Sequence, residues 1–377
     1  VDNYCIFGVG FQPPNEPATQ DTRFLLEWSY RLTSTEQALL MFFYSCLQSS
    51  FRWYPTLVAL LSAGLIAAQP GLAQELPTEE GIEDWVAATM CAADNRAVDL
   101  RRGLSFSFTG ADGNNPRHLD ASQAGLTTGD MPNLELAWAV AFPDTSSLRA
   151  APVIVGSTIF YSATDSGRVF ALDTNSGCAK WVYNADTRLR SSLAYGVIDG
   201  LATLVFGDGR GMIHSINAGT GEAIWVASGQ ASDNQAMITG TPVIHEDKII
   251  VPLSGSGVVT GGNPNFECCD NHGAVTALNV RSGEKLWEYH TMPTAEYTGM
   301  VSSTGVKQRG PSGAPIWTTP TVDAQRGQVY VTTGENTSHP TTNTSDSVIA
   351  LNLETGEANW VFQALENDMW NFSCSAG

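Results

Sequence analysis

Four stretches of this chain align with one another without a gap. They are Ala171-LDTNSGCAK-Trp181, Ser215-INAGTGEAI-Trp225, Ala277-LNVRSGEKL-Trp287 and Ala350-LNLETGEAN-Trp360. Their common form is [AS]-[LI]-[DN]-x-x-[ST]-G-x-x-x-W, with β-type runs such as Arg168-Val-Phe and Ser347-Val-Ile before it and another after the Trp. An Asp or Asn followed by Ser/Thr-Gly is turn chemistry, because glycine adopts a left-handed backbone at little cost. Each unit therefore reads as strand, tight turn, strand, with the Trp early in the second strand. The Trp-to-Trp spacings are 44, 62 and 73 residues. The first suits a four-stranded propeller blade, and the others the same blade with insertions of roughly 18 and 29 residues. Pro152-Val-Ile-Val, Pro242-Val-Ile-His and Pro320-Thr-Val-Asp, each followed by a second β run, supply inner strands. Trp138 reads as the closing strand of an earlier blade. A large ring and a small residue at fixed spacing suggest packing between neighbouring blades, so these Trp residues read as anchors rather than ligands.

The 377 residues divide unevenly around this repeat. Residues 1–40 show no sustained period, and the first Met is Met41. Arg52 then precedes an apolar run, Thr56–Ala68, and Gly71-Leu72-Ala73 places small residues at −3 and −1 before Gln74-Glu75. These are the three regions of a secretory signal peptide, and the run is short of the ~20 residues that span a bilayer. The expected division is upstream, non-native translation over 1–40, a signal peptide over 41–73, an N-terminal segment over 74–130 and a partial propeller over 131–377. The fold class expected is all-β, with four to five blades in this chain. The net charge is −19, and −17 from residue 74 onward, with 16 basic and 33 acidic residues. Nucleic-acid binding needs clustered Lys and Arg, so that partner is excluded, as is docking on an anionic membrane. Five of the seven cysteines follow residue 73, too few for a disulfide framework even in an oxidising compartment.

The repeat resembles the tryptophan-docking motif of the pyrroloquinoline-quinone (PQQ) dehydrogenases, quinoproteins built as eight-bladed propellers. The likeness runs over about 108–377 and is greatest to the polyvinyl-alcohol-dehydrogenase-like branch. It is carried by Phe108-TGADGNNPRH-Leu119, Ala124-Gly-Leu-Thr, Glu267-CC-Asp270, Gly310-PSGAPIWTTPTV-Asp323, Val331-TTGENTSH-Pro340 and Glu366-NDMWNFS-Cys374. The resemblance implies a periplasmic or secreted dehydrogenase that oxidises an alcohol, with secondary alcohols of a polymer as one candidate class. Hydride would pass to PQQ polarised by Ca²⁺ or a lanthanide. Ending after the fourth docking Trp, the chain reads as C-terminally truncated, and such a fragment is expected to be inactive alone. Many polymer-oxidising relatives carry haem c on C-x-x-C-H, but Cys91-Ala-Ala-Asp94-Asn95 lacks the second Cys and the His. No covalent haem c is expected, and electrons would leave for a separate cytochrome c or other acceptor. The competing readings are a non-enzymatic scaffold propeller of the outer-membrane assembly type and a catalytically impaired relative.

The resemblance also assigns residues. Cys268-Cys269 would form a vicinal disulfide against PQQ, unless the two are separate thiols. Trp317, placed on an inner strand, would stack on the cofactor or else pack in the core. Glu267 and Asn336, or its neighbour Glu335, would hold the metal, since hard cations take oxygen ligands. Arg190, preferred over Arg149, would bind a PQQ carboxylate bidentately or sit in a surface ion pair. The family's general base follows a Trp in D-x-W-D, whereas Asp368-Met-Trp-Asn371 puts Asn there. A neutral amide cannot accept the alcohol proton. Asp368 is the substitute candidate, with Asn371 left to orient substrate or ligate the metal.

Overall fold

A computed structural model of the chain describes residues 5–7, 79–100, 105–106, 119, 121–142 and 145–372. The upstream region from 8 to 40, the signal segment over 41–73 and Cys374 lie outside the described residues. Backbone packing separates Phe11–Gly81 from a unit formed by Val1–Gly10 and Ile82–Gly377, which holds every repeat. Among the described residues, no helix is long and apolar enough to cross a membrane.

Each repeat builds a four-stranded antiparallel sheet in which consecutive strands are neighbours. The first blade comprises Val153–Val155, Thr158–Ala163, Arg168–Asp173 and Ala179–Asn184, with Ser105–Phe106 added beside its innermost strand. The second comprises Ala194–Ile198, Leu201–Gly207, Met212–Asn217 and Ala223–Ser228. Val243–His245, Lys248–Leu253, Ala274–Asn279 and Lys285–His290 form the third. The fourth is Thr321–Asp323, Gln328–Thr332, Ser347–Asn352 and Ala358–Gln363. The Pro-led inner strands expected from the sequence are all present.

The repeat's residues each have a visible reason. The small residue lies directly across from the Trp, as Ala171↔Trp181, Ser215↔Trp225, Ala277↔Trp287 and Ala350↔Trp360, and the register shifts immediately after each pair. The Asp or Asn turns its Oδ1 back to accept following backbone N–H groups, as Asp173 does from Asn175 and Ser176. The Gly closes the turn at φ +72 to +76. Its bare Cα then receives the indole of the preceding blade. A methyl group at Gly177, Gly221 or Gly283 would stand 2.6–2.8 Å from ring carbons of Trp138, Trp181 or Trp225, and one at Gly356 would meet Trp287 in the same way. Each Nε1–H donates to a carbonyl of the same turn: Trp138 to Thr174 (2.9 Å), Trp181 to Ala218 (3.1 Å), Trp225 to Val280 (3.2 Å) and Trp287 to Leu353 (3.1 Å). Trp138 docks on the first blade's turn in the same way, but it lies just before the short strand Val140–Phe142 rather than in a closing strand. Trp360 is 44% exposed, against 7–8% for Trp138, Trp181 and Trp287. Among the described residues no further turn lies against it.

The cysteines depart from expectation. Cys91 and Cys178 form a disulfide that ties the N-terminal segment to the first docking turn. The Cys91 N–H also donates to the Ala179 carbonyl. Helix Glu79–Thr89 supplies Trp85, whose ring packs on Phe142 and Phe170. Residues before 130 therefore contribute to the first blade's core rather than only leading to it.

Docking yields the first prediction. Trp181→Ala removes a buried ring and its hydrogen bond and should cost about 3–5 kcal/mol, whereas Trp181→Phe should cost about 1–2 kcal/mol. Urea unfolding midpoints check both, and equal losses would contradict the packing account.

Candidate functional site

Alternating strand direction gives each sheet two chemically distinct ends. One end carries the docking turns and the short inner hairpins. The other carries the loops between second and third strands and the crossings from one blade's outer strand to the next blade's inner strand. The insertions that lengthen the third and fourth repeats are confined to this second end, over 254–273, 291–320 and 333–346. The candidate cofactor, metal and catalytic residues named from the sequence lie there too.

A cavity of about 400 Å³ at this end is lined by Ser147, Leu148, Arg149, Arg190, Thr239 and Trp317. Trp317 lies in the crossing just before strand Thr321–Asp323, not on the inner strand as expected. Its ring is therefore half-buried and lines a cavity instead of filling a core. The Arg190 guanidinium carbon stands 5.3 Å from the ring centroid, within cation–π range. Arg188 pairs with Asp165 at 3.0 Å, whereas Arg149 and Arg190 have no carboxylate within ion-pair distance among the described residues. Burial, then the Arg149 and Arg188 charges, hold the Arg190 guanidinium below its ordinary pKa. In a chain with twice as many acids as bases, this cavity sets two arginines without an ion-pair partner among the described residues against an aromatic face. Arg149 thus ranks beside Arg190.

Cys268 and Cys269 are bonded to each other and are 4% and 1% exposed. Their backbone pairs with Arg309 in both directions. A Cβ at Gly257 would meet both Cys269 and Thr337, and the Asn371 amide donates to the Thr337 carbonyl at 2.9 Å. The vicinal pair, the short helix Gly257–Thr260 and Asn371 thus form one group.

The carboxylates are arranged differently from the sequence expectation. Glu267 is ion-paired with Arg309 at 2.5 Å and half exposed, so its charge is already matched. Asn336 is fully buried, and its Oδ1 accepts from the Thr342 N–H and hydroxyl within its own loop. Its neighbour Glu335 is half-buried, and Gly334 lies 3.4 Å (as a Cβ position) from Trp317 Nε1. Burial raises the Glu335 carboxyl pKa, followed by repulsion from Asp346 and Asp368. Burial and Asp368 likewise raise Asp346, whose Oδ2 is buried without a hydrogen-bond partner. The loop's best-placed carboxylate is therefore Glu335, the alternative the sequence left open, with Asp368 facing it. Among the described residues no three His, Cys, Asp or Glu side chains converge closely enough to hold an ion unaided.

No motif points to His272, which lies between the Cys pair and the third repeat. It is 1% exposed, and its Nε2 shares a hydrogen bond with His290 Nδ1 at 2.8 Å.

Comparison with known proteins shows the family and the fold. Residues 108–377 match the family model described as PQQ glucose/ethanol/alcohol dehydrogenase, beta-propeller domain. The chain belongs to that family. It is 31% identical over 290 residues to a polyvinylalcohol dehydrogenase from Pseudomonas sp, covering 75% of this chain and 44% of the relative. A polyvinylalcohol dehydrogenase from Sphingopyxis sp. is 30% identical over 292 residues, covering 76% and 44%. The crystal structure of quinohemoprotein alcohol dehydrogenase from Comamonas testosteroni shares the fold, with a TM-score of 0.53 at 22% identity, over 77% of this chain and 46% of that one. The chain spans about half the length of the curated relatives it matches.

The buried histidine gives a pH prediction. Burial, reinforced by His290, pushes the His272 pKa down to about 4 from 6.5. The unfolded chain therefore binds a proton that the folded chain refuses, and stability should fall as pH drops from about 6.5 to about 4, by roughly 3 kcal/mol at the limit. Urea midpoints across that range should show the slope in the wild type and a shallower one in His272→Gln. Identical slopes would contradict it.

Proposed function

We propose that this chain forms the part of a quinoprotein alcohol dehydrogenase that receives PQQ, and that Arg149, Arg190 and Trp317 are its first contacts. One observation carries the reading: two arginines without carboxylate partners among the described residues flank a half-buried indole in an acidic protein. A flat tricyclic o-quinone with three carboxylates suits that surface. The ring would meet an aromatic face, and the carboxylates would meet planar guanidinium donors able to bind two oxygens each. The vicinal Cys268–Cys269 pair is proposed as a second, buried platform. When bound, the quinone supplies the two-electron acceptor chemistry, and the protein supplies position and electrostatics.

The residues present support roles around that group. Asp346 and Asp368 repel the half-buried Glu335 carboxylate, whose neighbour Gly334 lies beside the Trp317 indole. A Ca²⁺ or lanthanide ion there would relieve the repulsion among Glu335, Asp346 and Asp368, with remaining ligand atoms coming from the cofactor. Asp368 is proposed as the base that takes the alcohol proton, since Asn371 has no acidic form and its amide is spent on Thr337. Asn371 then fixes the geometry beside the Cys pair. The substrate is proposed to be a secondary alcohol, including hydroxyls along a polymer, by likeness to the two polyvinylalcohol dehydrogenases. Export through the 41–73 segment to the periplasm and transfer of electrons to a separate cytochrome c complete the reading.

Titration of the purified chain with PQQ, read by tryptophan fluorescence, should give saturable quenching, and Arg190→Ala should weaken binding about tenfold. No saturable quenching by the wild type would overturn the reading. In a protein carrying these blades within a complete propeller, loaded with PQQ and Ca²⁺, Asp368→Asn should lower dye-linked oxidation of a secondary alcohol by roughly 10²–10⁴ while PQQ affinity stays within about threefold. An unchanged rate would exclude Asp368 as the base.

A further inference from the structure

Across the seam between the first and second blades runs a buried chain of polar side chains that the proposed chemistry does not use. The Tyr183 hydroxyl and His214 Nδ1 share a hydrogen bond of 2.9 Å, and His214 Nε2 meets Asp208 Oδ2 at 3.1 Å. Asp208 Oδ1 accepts from the Arg210 and Met212 N–H groups at 2.8 and 2.9 Å. Asp208 and His214 are 2% and 5% exposed, and Phe206 stacks on the imidazole at 5.0 Å with an interplanar angle of 1°. Tyr183 comes from the outer strand of one blade, and His214 and Asp208 from the next. Two apolar side chains could fill this seam without desolvating a carboxylate, so stability alone gives little reason for an ionised group here.

What the chain touches supplies a reason. Asp208 forms a backbone bridge with Leu189, the residue immediately before Arg190. Its neighbours hold the same crossing from both sides. The Gly209 N–H donates to the Arg188 carbonyl at 2.9 Å. On the other flank, the Ser191 hydroxyl donates to the Gly207 carbonyl and accepts from the Gly207 N–H, both at 3.0 Å. The segment that presents Arg190 is thus clamped along Gly207-Asp208-Gly209, and the orientation of that clamp is set by the Asp208 carboxylate.

We propose that Tyr183–His214–Asp208 is a positioning triad: it fixes the backbone that aims Arg190 over Trp317 and so sets the affinity of the cavity for a ligand carboxylate. The triad does not touch the ligand and acts through Arg190. The affinity part rests on the reading of the arginine cavity as a PQQ site; the positioning part does not.

A double-mutant cycle tests it, because a general loss of stability would not couple to one side chain. Asp208→Asn keeps the shape and removes the charge, and Tyr183→Phe removes one hydrogen bond. In the full chain, with thermal midpoints recorded alongside, Asp208→Asn should weaken PQQ binding about tenfold and Tyr183→Phe about threefold. In the Arg190→Ala background Asp208→Asn should add nothing. An unchanged affinity, or the same tenfold loss with Arg190 absent, would overturn the proposal. If the wild type binds no PQQ, the cavity reading fails, and positioning is read from a crystal structure of Asp208→Asn without ligand. Arg190 displaced from Trp317 would sustain it, and Arg190 still stacked there would overturn it.

Discussion

An indole ring set on the bare Cα of the next repeat's turn glycine is the contact on which this structure depends. It joins sheets that share no ladder hydrogen bonds, and it does so with one shape, one Nε1–H bond and one backbone conformation. The same contact is made at Gly177, Gly221, Gly283 and Gly356. Because the turn requires positive φ and the ring requires no Cβ, the glycine is doubly constrained. Its partner rule, a small residue across from each Trp, gives the ring its room. Adjacent blades are therefore held at one end by short, repeated, tightly specified parts.

That division frees the opposite end. Loops there are not needed for docking and can lengthen, which is where the third and fourth repeats carry their insertions. Charge is also distributed unevenly there. Arg149 and Arg190 line a cavity with no ion-pair partner among the described residues, while Asp346 and Asp368 repel the Glu335 carboxylate. An anionic, flat ligand with a bound cation would satisfy both at once, which no single side chain in the vicinity does.

The fold was legible because docking chemistry is local. Turn Asx, Ser/Thr-Gly and Trp sit within eleven residues, and each constrains its neighbours directly. The inner strands announced themselves through Pro followed by β-branched runs. The candidate residues Cys268-Cys269, Trp317 and Arg190 stood out by type, but their partners did not, and Trp317 lies in a crossing rather than on the inner strand. Arg309 neutralises Glu267 from 42 residues away, and Thr342 occupies the amide of Asn336. The Cys91–Cys178 bond spans 87 residues, and nothing in spacing pairs those two. Asp208, His214 and Tyr183 carry no motif at all. They become visible only when two blades are laid side by side.

The central claim is the proposal that the cavity lined by Arg149, Arg190 and Trp317, at the insertion-bearing end of the blades, receives PQQ. A crystal structure of the chain grown with PQQ and Ca²⁺ tests it most directly. The account predicts difference density for a planar tricyclic ring against Trp317, with carboxylates facing Arg149 and Arg190. Density for PQQ among the docking turns, or a saturated crystal with an empty arginine cavity, would contradict it.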